Sequence, residues 1–173
     1  MEILLHTFEV WKLDAESPTK EFLRACSGIL SSGDIAVFGA YEPTIELTQN
    51  LLHLGAKKHL EMKEFYSSFE LNRYEHPNGC AFEYSLGENV FSDLLAIPEN
   101  ILRQKDIQCF YDHFLAYRPG TPRVPLISFH DAACGGTLYL SGLYSESTVR
   151  KFSEKISAEY SKVTNPIYSK NKN

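Results

Sequence analysis

The sequence lacks the paired Cys-x-x-Cys spacing from which structural zinc sites are built. It also lacks an apolar run approaching the roughly 18–20 residues that span a bilayer. Its start has no basic segment, and Glu2 and Glu9 interrupt the apolar residues there, so we expect no secretory signal. The four cysteines are spread along the chain, at Cys26, Cys80, Cys109 and Cys134. We therefore expect a cytoplasmic protein with reduced thiols and no membrane contact.

An excess of positive charge is missing as well. The chain has 17 Lys and Arg residues against 22 Asp and Glu residues, a net charge of −5. From Arg150 onward six basic residues stand against two Glu, so residues 1–149 carry eleven basic residues against twenty acidic ones. Such an acidic body repels nucleic-acid phosphate over most of its surface. The charge disfavours a nucleic-acid partner and favours a basic protein partner or none.

Aromatic residues are plentiful, at 13% of the chain, with eleven Phe and ten Tyr. Their rings can fill a thick core or line an apolar pocket, and the core is the expected use. A chain of 173 residues can bury about 70% of its unfolded surface, so no disulfide or metal is required for stability. We expect one domain over residues 1–165, followed by a short polar tail over residues 166–173.

The pattern of apolar and turn residues predicts an α+β fold. Strands are predicted over Glu2–Leu13, Ile35–Tyr41, Cys80–Leu86 and Val90–Ile97, and over two later segments described below. Helices are predicted after Ser17-Pro18, after Pro43, from Pro98 to about Tyr117, and over Glu146–Val163. Hairpins and amphipathic helices together favour a two-layer sandwich, with a largely antiparallel or mixed sheet and helices packed mainly on one face.

Two segments of the chain resemble each other. Ile35–Tyr41 and Leu138–Tyr144 both read as a strand with a Gly-x-Tyr sequence near its end, and each leads into a predicted helix. A true duplication would give two βαβ-like halves sharing one sheet, as in ferredoxin-like two-layer folds. The alternative is that the two segments are unrelated, because glycine commonly ends a strand that leads into a capped helix. The sequence leaves both open.

The segment between two late predicted strands holds the first candidate site. Val124–Phe129 and Thr137–Tyr144 read as the strands of a β-hairpin whose loop contains His130, Asp131 and Cys134. An imidazole near a thiol can generate the thiolate nucleophile, and an aspartate can orient that imidazole. These three residues are the predicted catalytic set. The alternative is a small apolar cysteine side chain beneath a glycine turn.

A second candidate site is the loop from Arg118 to Arg123, a cluster of positive charge in the acidic body. Two guanidinium groups five residues apart could hold a phosphate or a carboxylate. The alternative is ordinary pairing of each arginine with a nearby Asp or Glu. With Tyr144, at the end of the last predicted strand, Arg118 and Arg123 form the predicted ligand-binding set.

A metal site is the weakest of the candidates. His113 follows Asp112, and His130 precedes Asp131, so two imidazoles and two carboxylates could meet if the predicted helix end lay against the hairpin. In a strand, however, His130 and Asp131 would point to opposite faces. We therefore predict no metal ligands, and no other cofactor motif is present in the sequence.

These observations favour a small acidic cytosolic binding or regulatory module that recognises a protein partner or a small apolar ligand, without turnover. The alternative is a thiol-dependent or acid–base enzyme that uses His130, Asp131 and Cys134. The sequence does not determine the oligomeric state.

Overall fold

The residues that the structure describes form one antiparallel sheet and a layer of helices. A computed structural model of the protein describes residues 7–15, 19–60, 79–103, 111, 113–121, 123–129 and 137–166. The strands are β1 (Glu9–Asp14), β2 (Ile35–Tyr41), β3 (Lys57–His59), β4 (Gly79–Ser85), β5 (His113–Arg118), β6 (Val124–Phe129), β7 (Thr137–Ser141) and β8 (Glu159–Thr164). The helices are α1 (Thr19–Ser27), α2 (Ile45–His53), α3 (Val90–Ala96), α4 (Glu99–Leu102) and α5 (Glu146–Lys155).

The eight strands run in the order β3-β4-β2-β5-β6-β7-β1-β8, and every neighbouring pair is antiparallel. In the half β3-β4-β2-β5, the connection through α2 joins β2 to β3 with β4 between them. In the half β6-β7-β1-β8, the connection through α5 joins β7 to β8 with β1 between them. This split βαβ arrangement is the ferredoxin-like one. The predicted α+β sandwich is confirmed.

The two halves are equivalent in the order of their elements, and β2 to β5 are inserted between α1 and β6. The shared Gly-x-Tyr sequence does not mark this equivalence, because Gly39 pairs with His113 inside β2 whereas Gly142 follows the last residue of β7. The hydroxyls of Thr44 and Ser145 accept backbone N–H bonds three residues on, at 3.1 and 3.2 Å, at the starts of α2 and α5. These two helices are not equivalent, because α2 follows the first strand of its half and α5 follows the third.

The core lies between the helices and one face of the sheet, and aromatic rings fill much of it. Phe22 of α1 is buried, and its ring centroid lies 5.0 to 6.2 Å from those of Phe114, Phe129, Phe152 and Tyr111. Helices α1, α3 and α5 pack side by side on this face. The abundance of aromatic residues therefore serves the core in this part of the chain, as predicted.

The strand predicted over Val90–Ile97 is wrong, because Val90–Ala96 forms helix α3. Phe91 and Leu94 stand three residues apart and are both buried, which places them on one helical face. A short apolar run fits a strand and a buried helix equally well, so its periodicity did not separate the two.

The helix predicted from Pro98 to about Tyr117 is also wrong. Of the described residues in this range, only Glu99–Leu102 is helical, and His113–Arg118 is strand β5 in the middle of the sheet. Five of the six β5 residues are buried, because strands on both sides and side chains on both faces surround them. A strand buried on both faces shows little alternation of polarity, and its sequence therefore resembled an apolar helix.

The terminal helix predicted over Glu146–Val163 is shorter than expected. Helix α5 ends at Lys155, and Glu159–Thr164 forms the edge strand β8 beside β1. Ser157 has a φ of 53°, and this left-handed residue reverses the chain between the helix and the strand. Among the described residues, no helix has the length and apolar character of a membrane span.

Candidate functional site

The predicted hairpin that carries the first candidate site is confirmed. Strands β6 and β7 pair antiparallel, with Ile127 opposite Leu140 and Phe129 opposite Leu138. The three predicted catalytic residues, His130, Asp131 and Cys134, lie outside the described residues. Their role in catalysis stays a prediction.

Two other thiols are described, and burial keeps both protonated. Cys26 is fully buried on α1, and this burial raises its pKa well above the usual value. Burial also raises the pKa of Cys80, an effect that Lys58 partly opposes. Neither thiol has the depressed pKa and the access that a nucleophile needs.

We expect Cys26 and Cys80 to react with a small disulfide reagent only slowly in the native protein. Reaction should be followed between about pH 5 and about pH 9 in the native state, with unfolded protein as the reference. A fast phase below about pH 7 that is lost in Cys134→Ser would support the predicted thiolate. If the native protein shows no such phase, the thiol-enzyme alternative is contradicted.

Arg118, one of the predicted ligand-binding residues, pairs with a buried carboxylate. Its Nε donates to Asp34 Oδ1 at 3.3 Å, and Asp34 Oδ2 accepts the backbone N–H of Ser31 at 2.9 Å. Asp34 is 2% exposed, whereas the Arg118 side chain is 54% exposed. The pairing of Ile35 with Tyr117 brings Asp34 and Arg118 together at the sheet end.

Tyr144 lies in the same neighbourhood. Its hydroxyl donates to the Ile29 carbonyl at 3.4 Å, and its own carbonyl accepts the indole N–H of Trp11 at 3.0 Å. Burial raises the pKa of Tyr144 strongly, the charge of Asp34 raises it further, and Arg118 lowers it. The phenol is therefore a proton donor at neutral pH and is not a base.

Arg123 has a different partner. Its guanidinium lies 4.9 Å from the ring centroid of Tyr117, a cation–π contact. Burial raises the pKa of Tyr117, while Arg123 lowers it and Glu83 raises it. Since Phe114 and Ala116 belong to the core under the helices, alternation along β5 directs Tyr117 to the opposite face of the sheet. The joint anion-binding role of Arg118 and Arg123 stays a prediction.

His113, weighed as a metal ligand, is the first residue of β5 and is buried opposite Gly39 in the sheet. Asp112 and the other residues of that candidate lie outside the described part of the chain. Within the described part, no three His, Cys, Asp or Glu side chains are grouped as metal ligands.

In the part of the chain that the structure describes, the helix layer carries open grooves. A groove of about 510 Å³ lies between α1 and α5, beside Gly28, Lys151 and Lys155. A second groove, of about 440 Å³, lies beside Ser31 and Glu88. Small apolar ligands bind in enclosed, mostly apolar cavities, so these two open and partly polar grooves do not suit them well.

Comparisons with known protein families, with characterised proteins and with solved structures found no match to this chain.

Asp34 was not among the site residues predicted from the sequence. The run Ser31-Ser32-Gly33-Asp34 before a predicted strand is a turn signal, and an aspartate there commonly accepts a local backbone N–H. That signal could have indicated the bond from Ser31. Its pairing with Arg118, 84 residues along the chain, depends on the sheet order.

We expect Asp34→Asn to lower the free energy of unfolding by about 1–3 kcal/mol, because a buried acceptor loses its charge-assisted bond. Urea unfolding measures the loss, and a double-mutant cycle with Arg118→Gln isolates the pair. The control is Glu21→Gln, since Glu21 pairs with Arg24 on the exposed surface and should cost about 0.5 kcal/mol or less. Equal effects of the two substitutions would argue against a structural role for Asp34.

We expect stability to fall above about pH 10, where tyrosines of the unfolded chain ionise. Burial raises the pKa of Tyr84, Tyr117 and Tyr144, so the native state holds protons that the unfolded state releases. Their contribution is complete below pH 10 and is lost as the pH rises toward their folded values. Urea unfolding at several alkaline pH values should give a shallower decline for Tyr144→Phe. If the decline of stability with pH is as steep in Tyr144→Phe as in the wild type, the raised pKa of Tyr144 is contradicted.

Proposed function

We propose that this protein is a binding module that recognises a protein partner through the outward surface of α2, without turnover. The observation that carries the proposal is the exposure of two large aliphatic side chains on this helix: Ile45 is 78% exposed and Leu52 is 43% exposed. They stand seven residues apart, so they lie on one stripe of the helix. We call Ile45 and Leu52 the α2 stripe.

Helix α2 is anchored to the sheet on the side opposite the α2 stripe. Leu47 and Leu51 on its opposite side are buried, and the Thr44 cap accepts the backbone N–H of Leu47. The buried hydroxyl of Tyr84 donates to the Leu51 carbonyl at 2.9 Å and ties the helix to β4. An apolar surface on a rigid element loses little conformational entropy on binding, which favours recognition of another protein.

A protein partner fits this surface better than a small apolar ligand does. The α2 stripe stands outward on a convex helix, whereas a small apolar ligand needs a concave and enclosed site. We also propose a cytoplasmic location, which the free thiols Cys26 and Cys80 support because a reducing compartment keeps thiols unpaired.

The test compares captured proteins between matched variants. Tagged wild type, Ile45→Asp and Leu52→Asp should be used as bait in extracts of source cells, with Leu143→Asp as control because Leu143 is also exposed, at 59%. We expect a partner that binds wild type and Leu143→Asp and is lost with both α2 variants. Its binding should be reproduced with purified components. Equal capture by all four baits would contradict the proposal, provided that circular dichroism shows all four folded.

A further inference from the structure

The charge of the helix layer divides between its two halves, and this division indicates the chemistry of the partner. Helices α2, α3 and α4 carry Glu46, Asp93 and Glu99 and contain no Lys or Arg. Helices α1 and α5 together carry five Lys and Arg residues against three Glu. The α2 stripe therefore lies in the acidic half of the layer.

Charges also lie directly beside the α2 stripe. Glu46 is next to Ile45 in the first turn of α2, and its side chain is exposed. Glu99 of α4, which packs near α2, is partly neutralised by Lys20 and Arg103 at 3.8 and 3.1 Å. The negative charge that lies beside Ile45 on α2 is therefore that of Glu46.

We infer that the partner presents a basic, amphipathic segment to the α2 stripe, with apolar side chains over Ile45 and Leu52 and Lys or Arg side chains toward Glu46. The inference rests on the proposed function and names the chemistry of its partner. The apolar contact supplies most of the affinity, while the opposite charges steer the encounter and select the partner. Binding is therefore expected to weaken with salt.

A pair of synthetic peptides tests this chemistry. One is a fluorescein-labelled helix-forming peptide of Leu and Lys, and the other has the same pattern with Glu in place of Lys. Fluorescence anisotropy is measured with the full-length protein at low salt and at about 0.3 M NaCl. The protein variants are Ile45→Asp and Glu46→Gln, with Glu154→Gln on α5 as the charge control.

We expect the Lys peptide to bind at least about tenfold more tightly than the Glu peptide, and salt, Ile45→Asp and Glu46→Gln each to weaken it. Glu154→Gln should leave it unchanged. Equal binding of both peptides, lost in Ile45→Asp, would overturn the inference but leave α2 as an apolar docking site. Binding of neither peptide would also overturn it, and the capture experiment then decides the proposed function separately. If the free protein self-associates and Ile45→Asp abolishes this self-association, the α2 stripe binds a second copy of the chain. The inference of a separate, basic partner would then be overturned.

Discussion

Replacing Phe22 with alanine is expected to lower the free energy of unfolding by about 3–5 kcal/mol, the largest effect that we predict for a single side chain. Phe22 is completely buried, and its ring meets those of Phe114, Phe129 and Phe152. Because these residues belong to two strands and two helices, truncation leaves a cavity that no one element can close by moving. Urea unfolding, followed by circular dichroism, measures the loss.

The control is Phe22→Leu, which keeps most of the side-chain volume and removes the ring contacts. Near volume-conserving substitutions in a core usually cost less than about 1.5 kcal/mol. We therefore expect the leucine variant to retain most of the stability that the alanine variant loses. A loss below about 1 kcal/mol for Phe22→Ala would show that the site collapses freely, and the aromatic cluster would then not be the centre of the core.

Replacing Gly142 with alanine is expected to cost about 3 kcal/mol or more, because the added methyl group has no space. A Cβ at Gly142 would lie 2.2 Å from the backbone oxygen of Glu9 and 2.9 Å from the side chain of Thr7. The same position donates its backbone N–H to Thr7 Oγ1 at 3.2 Å. The alanine variant must therefore move backbone and disturb this bond where β7 ends beside β1.

Gly87→Ala is the matched control, since a Cβ there would meet no heavy atom within 4 Å. Its free energy of unfolding is expected to stay within about 0.5 kcal/mol of the wild type. Thermal unfolding of the three proteins under one condition makes the comparison. If Gly142→Ala is as stable as Gly87→Ala, the close approach of Gly142 to Glu9 is contradicted.

Some of the fold could be predicted from local sequence because its signals were local. Ile35–Tyr41 and Cys80–Leu86 are short β-rich runs between turn residues, and they match β2 and β4 closely. The hairpin of β6 and β7 was predicted for the same reason. By contrast, the apolar residues of β5 and α3 are buried by distant parts of the chain, so their own order carried little information about their conformation.

The candidate site shows the same division. The sequence singled out Arg118 as a positive charge within an acidic body. Its partner Asp34 could not be predicted, because Asp34 lies in a turn before β2 that is distant in sequence. Arg123 was expected to act with Arg118, but its neighbour Tyr117 faces the other side of the sheet. The exposure of Ile45 was not apparent from sequence either, because an apolar residue in an amphipathic helix reads as part of the buried face.

The amino-acid sequence by itself determined the class of the fold, the acidic character of the protein and the position of the late hairpin. Capping residues, turn residues and alternation act over a few positions, and they can be read without neighbours. Only the tertiary structure decided the strand order, the burial of Asp34 and the outward position of the α2 stripe. These features depend on which distant segments meet, and that is settled by the joint burial of apolar surface across the whole sheet.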